Sequence, residues 1–297
     1  MKFIYYISIC SLFLFSKKLD GIKKRNPVNT VKSEVKHPKF NKYWYSGKAE
    51  ITSYQLTQSR YGENHLGTAV NIFVTEDFLP LKQVKADYKN KSNLAVLKLN
   101  STKKFVTGMY PYSIMTSTFS PINNLKKAVK ISFSAQEWCG NTFIQLNNRE
   151  EFDVNFYSYF ESNADKKIIL KKEILENELW NILRMNPKKL PIGNIKIIPS
   201  FEFLALNHQK IKAYKAETAL EENTHFIKYS IYYPSLERKL IINATKEFPF
   251  TIESWEETIS KGEEKLITKA IKIKTIQSKY WNKNGATDTK ERKELGL

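Results

Sequence analysis

The sequence predicts a mainly β fold: a large curved antiparallel sheet or open half-barrel with one packed helix. Three observations predict it. Apolar and polar residues alternate with period 2 from residue 44 onward, the pattern of strands with one packed and one wet face. Only one segment, 172–185, carries a helical stripe. Glycine is scarce, 10 in 297 residues, and neither G-x-G-x-x-G nor G-x-x-x-x-G-K-[ST] occurs, so the phosphate-cradling loops of nucleotide-binding α/β folds are excluded.

The chain begins with Met1-Lys2, a thirteen-residue apolar run from Phe3 to Phe15, and Ser16-Lys17-Lys18. A run of this length suits a secretory signal or short anchor better than a membrane-spanning helix, which needs about 20 residues. Residues 1–16 are therefore expected to be a signal peptide or anchor and the chain to be exported. Cleavage, retention and lipidation at Cys10 all stay open, because Leu14 stands where a cleavage site wants a small residue. Residues 17–42 have no apolar periodicity and read as a flexible tether.

A single β-rich domain is expected over 43–283. Its clearest alternation sets Val129, Ile131, Phe133 and Ala135 against Lys130, Ser132, Ser134 and Gln136. Val154, Phe156 and Phe160 share one phase of the next strand, and Ile227, Tyr229, Ile231 and Tyr233 and then Leu240, Ile242 and Ala244 form two more. In 172–185, Leu175, Leu179, Ile182 and Leu183 recur at helical spacing, with Glu173, Glu176 and Glu178 off the stripe, and Pro187 and Pro191 end the pattern. The layout is about six strands, one helix, then about six more. Residues 284–297 are polar and read as a disordered tail.

A net charge of +18 raises nucleic-acid binding, but the cations are 42 Lys and 6 Arg, scattered through the chain, and nine of them precede residue 41. Base reading and phosphate clamping favour arginine, so no specific nucleic-acid partner is expected. The four histidines, His37, His65, His208 and His225, lack ligand spacing, and no metal or cofactor is expected. The doublets Glu150-Glu151, Glu221-Glu222, Glu256-Glu257 and Glu263-Glu264 point to opposite faces of a strand and read as turns and solvated edges. Tyr43-Trp44-Tyr45 and Tyr280-Trp281 read as core, or as a staple between the first and last strands, before a ligand rim.

Gln136-Glu137-Trp138-Cys139-Gly140 offers a reactive pair, Cys139 with Glu137, if a cation or helix terminus depresses the thiol pKa. No histidine is local, and a buried structural cysteine beside a core tryptophan is the preferred reading. One helix covers only part of so wide a sheet, so an apolar concavity is expected, with Phe133, Phe156, Phe160, Ile231 and Tyr233 as candidate ligand-binding residues.

Tyr43-Trp44-Tyr45-Ser46-Gly47-Lys48-Ala49-Glu50-Ile51 and Gln136–Gly140 resemble strings of a family of uncharacterised exported proteins of Gram-negative bacteria, over about residues 43–281. Members often carry a lipoprotein signal ending Leu-Phe-Ser-Cys, where this chain has Lys17 after Leu14-Phe15-Ser16. Some are labelled septum formation inhibitor Maf, but the Ser-x-Ser-Pro-Arg-Arg loop of Maf nucleotide pyrophosphatases is not in this sequence. The coarse layout is similar to LolA-like half-barrels, which hold acyl chains on a concave sheet. The resemblance implies a lipoprotein-like protein of the periplasm or outer-membrane periphery. The expected function is a cell-envelope binding or scaffold protein holding an apolar, lipid-like small molecule or an envelope protein, with membrane contact through the N-terminal segment only. An enzyme using Cys139 and an outer-membrane β-barrel are the alternatives.

Overall fold

The computed structural model describes residues 37–123 and 127–297. The expected signal peptide, and the tether up to residue 36, lie outside the described residues. A short helix, α1 (Phe40–Trp44), precedes the sheet and buries Phe40 and Trp44 in the core. The domain therefore starts earlier than residue 43, because two large aromatics anchor this turn.

The sheet begins as a meander. It comprises β1 (Ala49–Arg60), β2 (Glu63–Leu79), the two-residue β3 (Val84–Lys85) paired only to β2, β4 (Leu94–Thr107), β5 (Tyr110–Pro121), β6 (Lys130–Glu137), β7 (Gly140–Asn148), β8 (Phe152–Ser158) and β9 (Lys166–Leu170). After β10 (Ile174–Leu175) come the helix α2 (Glu176–Met185), β11 (Gly193–Ile198) and a second short helix, α3 (Phe201–Leu206). A second meander follows, β12 (Tyr214–Glu222), β13 (Phe226–Tyr233), β14 (Arg238–Thr245), β15 (Ile252–Lys261) and β16 (Glu264–Ser278). The two meanders join through antiparallel pairing of β16 with β1, from Ala49 opposite Ser278 to Thr57 opposite Lys269. All sixteen strands make one sheet running from β10 to β9.

The chain is thus a mainly β, curved and unclosed sheet. Its terminal strands, β9 and β10, are joined in sequence by only Lys171–Glu173. Leu170 and Ile174 are four residues apart, so they lie within about 14 Å of each other, and the sheet must curl until its edges meet across a narrow seam. Two β-bulges, beside Ser53 in the β1–β16 pair and beside Asn243 in the β14–β15 pair, add local twist.

The predicted alternation holds where it was clearest. Ile131, Phe133 and Ala135, then Val154 and Phe156, then Ile227, Tyr229, Ile231 and Tyr233, and then Leu240, Ile242 and Ala244 all face the core. Lys215 and Glu217 stand exposed between buried Tyr214, Ala216 and Thr218. A charged outer surface of this kind is unlike the apolar outer band of a lipid-embedded barrel.

Three expectations change. Among the described residues the strands number sixteen and not about twelve, because very short strands such as β3 and β10 carry no readable period. The helix starts at Glu176, since Ile174 and Leu175 pair with Ile197 and Ile198, and it is not the only one. The tail is ordered: it forms α4 (Lys290–Glu294), and Leu295 is buried with Ala49, Ile51 and Val74 while its carbonyl accepts from Ser53 Oγ at 2.6 Å. Tyr280 packs on that same cluster, so the C-terminal segment covers the outward face of the β1–β2–β16 junction.

Antiparallel order places the turns. Those after β1, β4, β6, β8, β11, β13 and β15 share one end of the barrel, and those after β2, β5, β7, β12 and β14 share the other. We call the first the hairpin end. The chain enters β1 from α1 at the opposite end.

Candidate functional site

α2 runs through the interior of the curved sheet, and this determines the site. The Leu175, Leu179 and Leu183 stripe is buried as predicted, but Glu176, Asn177, Glu178, Asn181 and Arg184 are buried too. An enclosed charge must be paired, and Glu176, Glu178 and Arg184 each have a partner. At the bottom of the helix Arg184 binds Glu50 through both amino groups, at 2.5 and 2.6 Å, and donates to the Pro249 carbonyl at 3.0 Å. Midway, Asn181 Nδ2 donates to Leu97 O and Ser120 Oγ, both at 2.9 Å. Glu178 accepts from the backbone N–H of Ala128 at 2.6 Å and of Leu175 at 3.2 Å. Burial raises its carboxyl above the ordinary range, with Lys127 opposing.

At the hairpin end the helix opens onto a cleft of about 780 Å³. Its inner wall is a charged cluster. Arg238, at the start of β14, grips Glu176 with Nη1 at 2.5 Å and Nη2 at 2.8 Å, and its Nε donates to Glu257 on β15. Tyr233 donates its hydroxyl to Glu176 Oε2 at 2.7 Å. Burial pushes the Glu176 carboxyl up, but Arg238 and then Tyr233 outweigh it and hold the group below the usual carboxylate range. The Arg238 guanidinium also lies 4.3 Å from the Phe203 ring centre. Lys103 on β4 ties Glu202 of α3 at 2.6 Å, and Arg60 at the end of β1 donates to Leu206 O at 2.7 Å. These two bonds pin α3 across the sheet.

Between the charges lie Trp180 of α2 and Trp255 of β15, ring centres 5.4 Å apart and edge-to-face. Asn177, Ser200, Gln58 and Thr268 add neutral polar groups. Gln58 is buried and donates to Thr268 Oγ1 at 3.0 Å, and its Oε1 has no partner among the described residues. The deepest charges of the cleft are committed to one another.

The expected site residues lie elsewhere. Phe133, Phe156, Ile231 and Tyr233 are packed in the main core cluster, and Phe160 is partly exposed on the hairpin end. None of the five lines this cleft or the shallower groove outside β13–β16. Tyr233 touches the site from behind, through Glu176 and the Arg238 guanidinium. Cys139 is not a buried structural cysteine: it is exposed in the two-residue turn between β6 and β7, beside Trp138 at 68% exposure. A hydrogen bond donated by the thiol to the Glu137 carboxylate raises the thiol pKa, with burial and the carboxylate's charge adding to the rise. Glu137 also accepts from the Cys139 backbone N–H at 2.6 Å. This is the reverse of the depressed pKa a thiol nucleophile requires. Among the described residues no cluster of three or more His, Cys, Asp or Glu has metal-ligand geometry.

The residues that build the cleft were missed because each was judged alone. Their signal was phase. Arg238 shares the parity of Leu240, Ile242 and Ala244, and Glu257 that of Trp255 and Ile259. Lys103 falls in step with Leu97, Leu99 and Phe105, and Glu50 with Tyr54 and Leu56. A charge in the apolar phase of a strand faces inward, where it needs a partner.

No protein-family model matches the sequence, and no curated protein matches it. Among solved structures, the chain is similar to a beta-barrel-like protein of domain of unknown function DUF1849 from Brucella abortus, at 8% identity and a TM-score of 0.45, over 77% of this chain and 97% of that one.

Proposed function

We propose that this chain is a cell-envelope binding protein whose ligand is a small polar molecule held in the cleft between α2, α3 and the inner faces of β1, β14, β15 and β16. One observation carries the reading: the cleft is acidic in a strongly basic chain. Glu176, Glu202, Glu237, Glu257 and Glu264 line it against Arg60, Lys103 and Arg238, while the net charge of the chain is +18. A wall with more carboxylates than cations favours a ligand that presents hydrogen-bond donors or a positive charge. Trp180 and Trp255 supply an aromatic surface on which the ligand's less polar part rests. This lining supports a polar ligand in place of the lipid-like one that the half-barrel resemblance implies. The envelope assignment rests on the N-terminal apolar run.

The test is thermal denaturation and tryptophan fluorescence of the full chain against polyamines, amino sugars and fatty acids. A saturable rise in melting temperature with an amine-bearing compound is expected, because a ligand that binds only the folded state stabilises it. Glu237→Lys with Glu264→Lys, both exposed at the mouth, should weaken that binding and leave the unliganded melting temperature unchanged. Stabilisation by fatty acids alone would overturn the proposal.

A further inference from the structure

The unspent acceptors of the cleft stand in two tiers, one deep and one at the mouth. Strand register sets the deep tier. Thr268 of β16 lies opposite Glu257 of β15, and Gln58 of β1 donates to Thr268 Oγ1 at 3.0 Å. Gln58 is 5% exposed and lines the cleft. Its Nε2 also donates to the Ser59 carbonyl at 3.1 Å, which orients the amide, because a carbonyl only accepts. Oε1 is the acceptor left without a partner among the described residues. In the same row Glu176 and Glu257 share the one guanidinium of Arg238, so this tier keeps a negative charge. The mouth tier holds Glu237, which closes the β13–β14 turn, and Glu264, which opens β16. Both line the cleft, both are exposed, and neither side chain has a partner among the described residues. Four residues of β16 separate Glu264 from Thr268, about 13 Å at the rise of a strand.

The wall between the tiers is apolar. Leu266, midway between Glu264 and Thr268, lies opposite Ile259 of β15, and Leu236 of the β13–β14 turn joins them in the lining. Arg60, two residues beyond Gln58 on β1, is the cation at this level. It donates to Leu206 O at 2.7 Å and lies 4.5 Å from the Tyr61 ring centre, and its Nε has no partner among the described residues. The middle of the cleft therefore carries a positive charge that no described carboxylate meets. Taken together, the five carboxylates and three cations of the lining leave two negative charges at neutral pH. This pattern selects a ligand with an ammonium group at each end and an uncharged hydrocarbon middle. An ammonium donates three hydrogen bonds and accepts none, which matches acceptors at both tiers. Methylenes find Leu266, Ile259 and Leu236 between them, and Arg60 repels a third charge placed there. We propose that the ligand of this cleft is a long linear diamine, held with one ammonium at Gln58 and Glu257 and the other between Glu237 and Glu264. The inference rests on the reading of the cleft as a site for amine-bearing ligands.

Titration calorimetry of the full chain at neutral pH compares four amines. Diaminooctane carries two charges on a chain long enough to link the tiers. Octylamine has the same chain with one charge, diaminopropane has two charges on a short chain, and spermidine has the span of diaminooctane with a third charge inside it. Diaminooctane should bind at least about tenfold more tightly than each of the others. Gln58→Met, which keeps the side chain's length and removes its acceptor, should bring diaminooctane down to the affinity of octylamine and leave octylamine where it was. Gln58 is buried, so the comparison of ligands on the wild-type chain stands by itself if that variant does not fold. Glu237→Gln with Glu264→Gln, both exposed, should weaken diaminooctane and octylamine alike by about tenfold. Octylamine binding as tightly as diaminooctane would overturn the two-ended ligand while keeping the amine site. Spermidine binding as tightly would overturn it too, because a charge would then sit beside Arg60. Failure of all four amines to bind would overturn the amine site itself and this inference with it.

Discussion

Single side chains show how this protein keeps charges inside a curled β sheet. Arg238 and Arg184 are each about 1% exposed, and each faces a carboxylate with two parallel hydrogen bonds. Breaking such a pair leaves one charge buried without its partner, at a cost on the order of 3–5 kcal/mol. Glu176→Gln is therefore expected to lower stability at neutral pH by about 3 kcal/mol, Glu257 still serving Arg238. Because the folded Glu176 carboxyl sits below its ordinary range, its contribution is full above the unfolded value of about 4.3 and is lost as pH falls through the folded value. Denaturation midpoints of wild type and variant should accordingly converge toward acid pH. A constant gap across that range would show that Glu176 is not the titrating group. The opposite expectation holds at Cys139. Its exposed turn position gives it nothing to pack against, so Cys139→Ala should shift the melting temperature by no more than a degree or so, the scale of an ordinary surface change.

Among the elements, α2 and α4 show opposite ways of belonging to a sheet. α2 is enclosed except where Asn177 and Trp180 meet the cleft, and its Leu face and its charged groups both have partners on the strands around it. Its polar contacts reach β1, β4, β5 and β14, so it fixes the interior width of the barrel as well as the floor of the cleft. α4 lies outside, held by Leu295 just beyond its end, by Leu297 on the same cluster, and by Glu291, which accepts from Ser278 Oγ of β16 at 2.5 Å. Leu295 is 4% exposed against Ala49, Ile51 and Val74, and these face away from the main core on the outer side of β1 and β2. Leu295→Ala should cost about 2–3 kcal/mol by cavity formation, which in a domain of this size lowers the melting temperature by about 5 °C or more. Deletion of 286–297 should lower it at least as much, and an unchanged melting temperature would show that the terminal helix adds nothing to the fold.

At the scale of the whole molecule, the sheet is one continuous hydrogen-bonded surface. The β1–β16 pairing links residues more than two hundred positions apart, as in Ala49 opposite Ser278. α2 then crosses the interior from Arg238 to Glu50, tying both meanders to one plug. Nothing in this layout lets the first meander keep its inner face buried once the second has left. Calorimetric and van't Hoff enthalpies of the described domain should agree, as for a single cooperative transition. Two resolved transitions would mean that the meanders are separate folding units. Folding should be slow, because these long-range pairings close large loops before they are rewarded.

The sequence alone determined the fold class, since alternation is a local property that each strand carries in itself. It also located α2 to within a few residues, because a stripe of leucines at helical spacing needs no partner to be read. The buried placement of Trp44 followed from composition, as large aromatics go inside. Tertiary structure decided the rest. Glu176, Asn181 and Arg184 look like a solvent face in sequence, and only the curling of the sheet around α2 makes that face interior. Arg238, Glu257 and Lys103 sit in the apolar phase of three different strands; Arg238 and Lys103 each find a carboxylate far away in the chain, and Glu257 is met by Arg238 on the neighbouring strand. The order of Leu295 depends on strands more than two hundred residues upstream. Cys139 in its turn shows the same limit on a small scale, because β6 ends two residues before it and the sequence does not mark where a strand gives way to its hairpin. Local periodicity fixes which residues can face inward, and long-range pairing alone fixes what they find there.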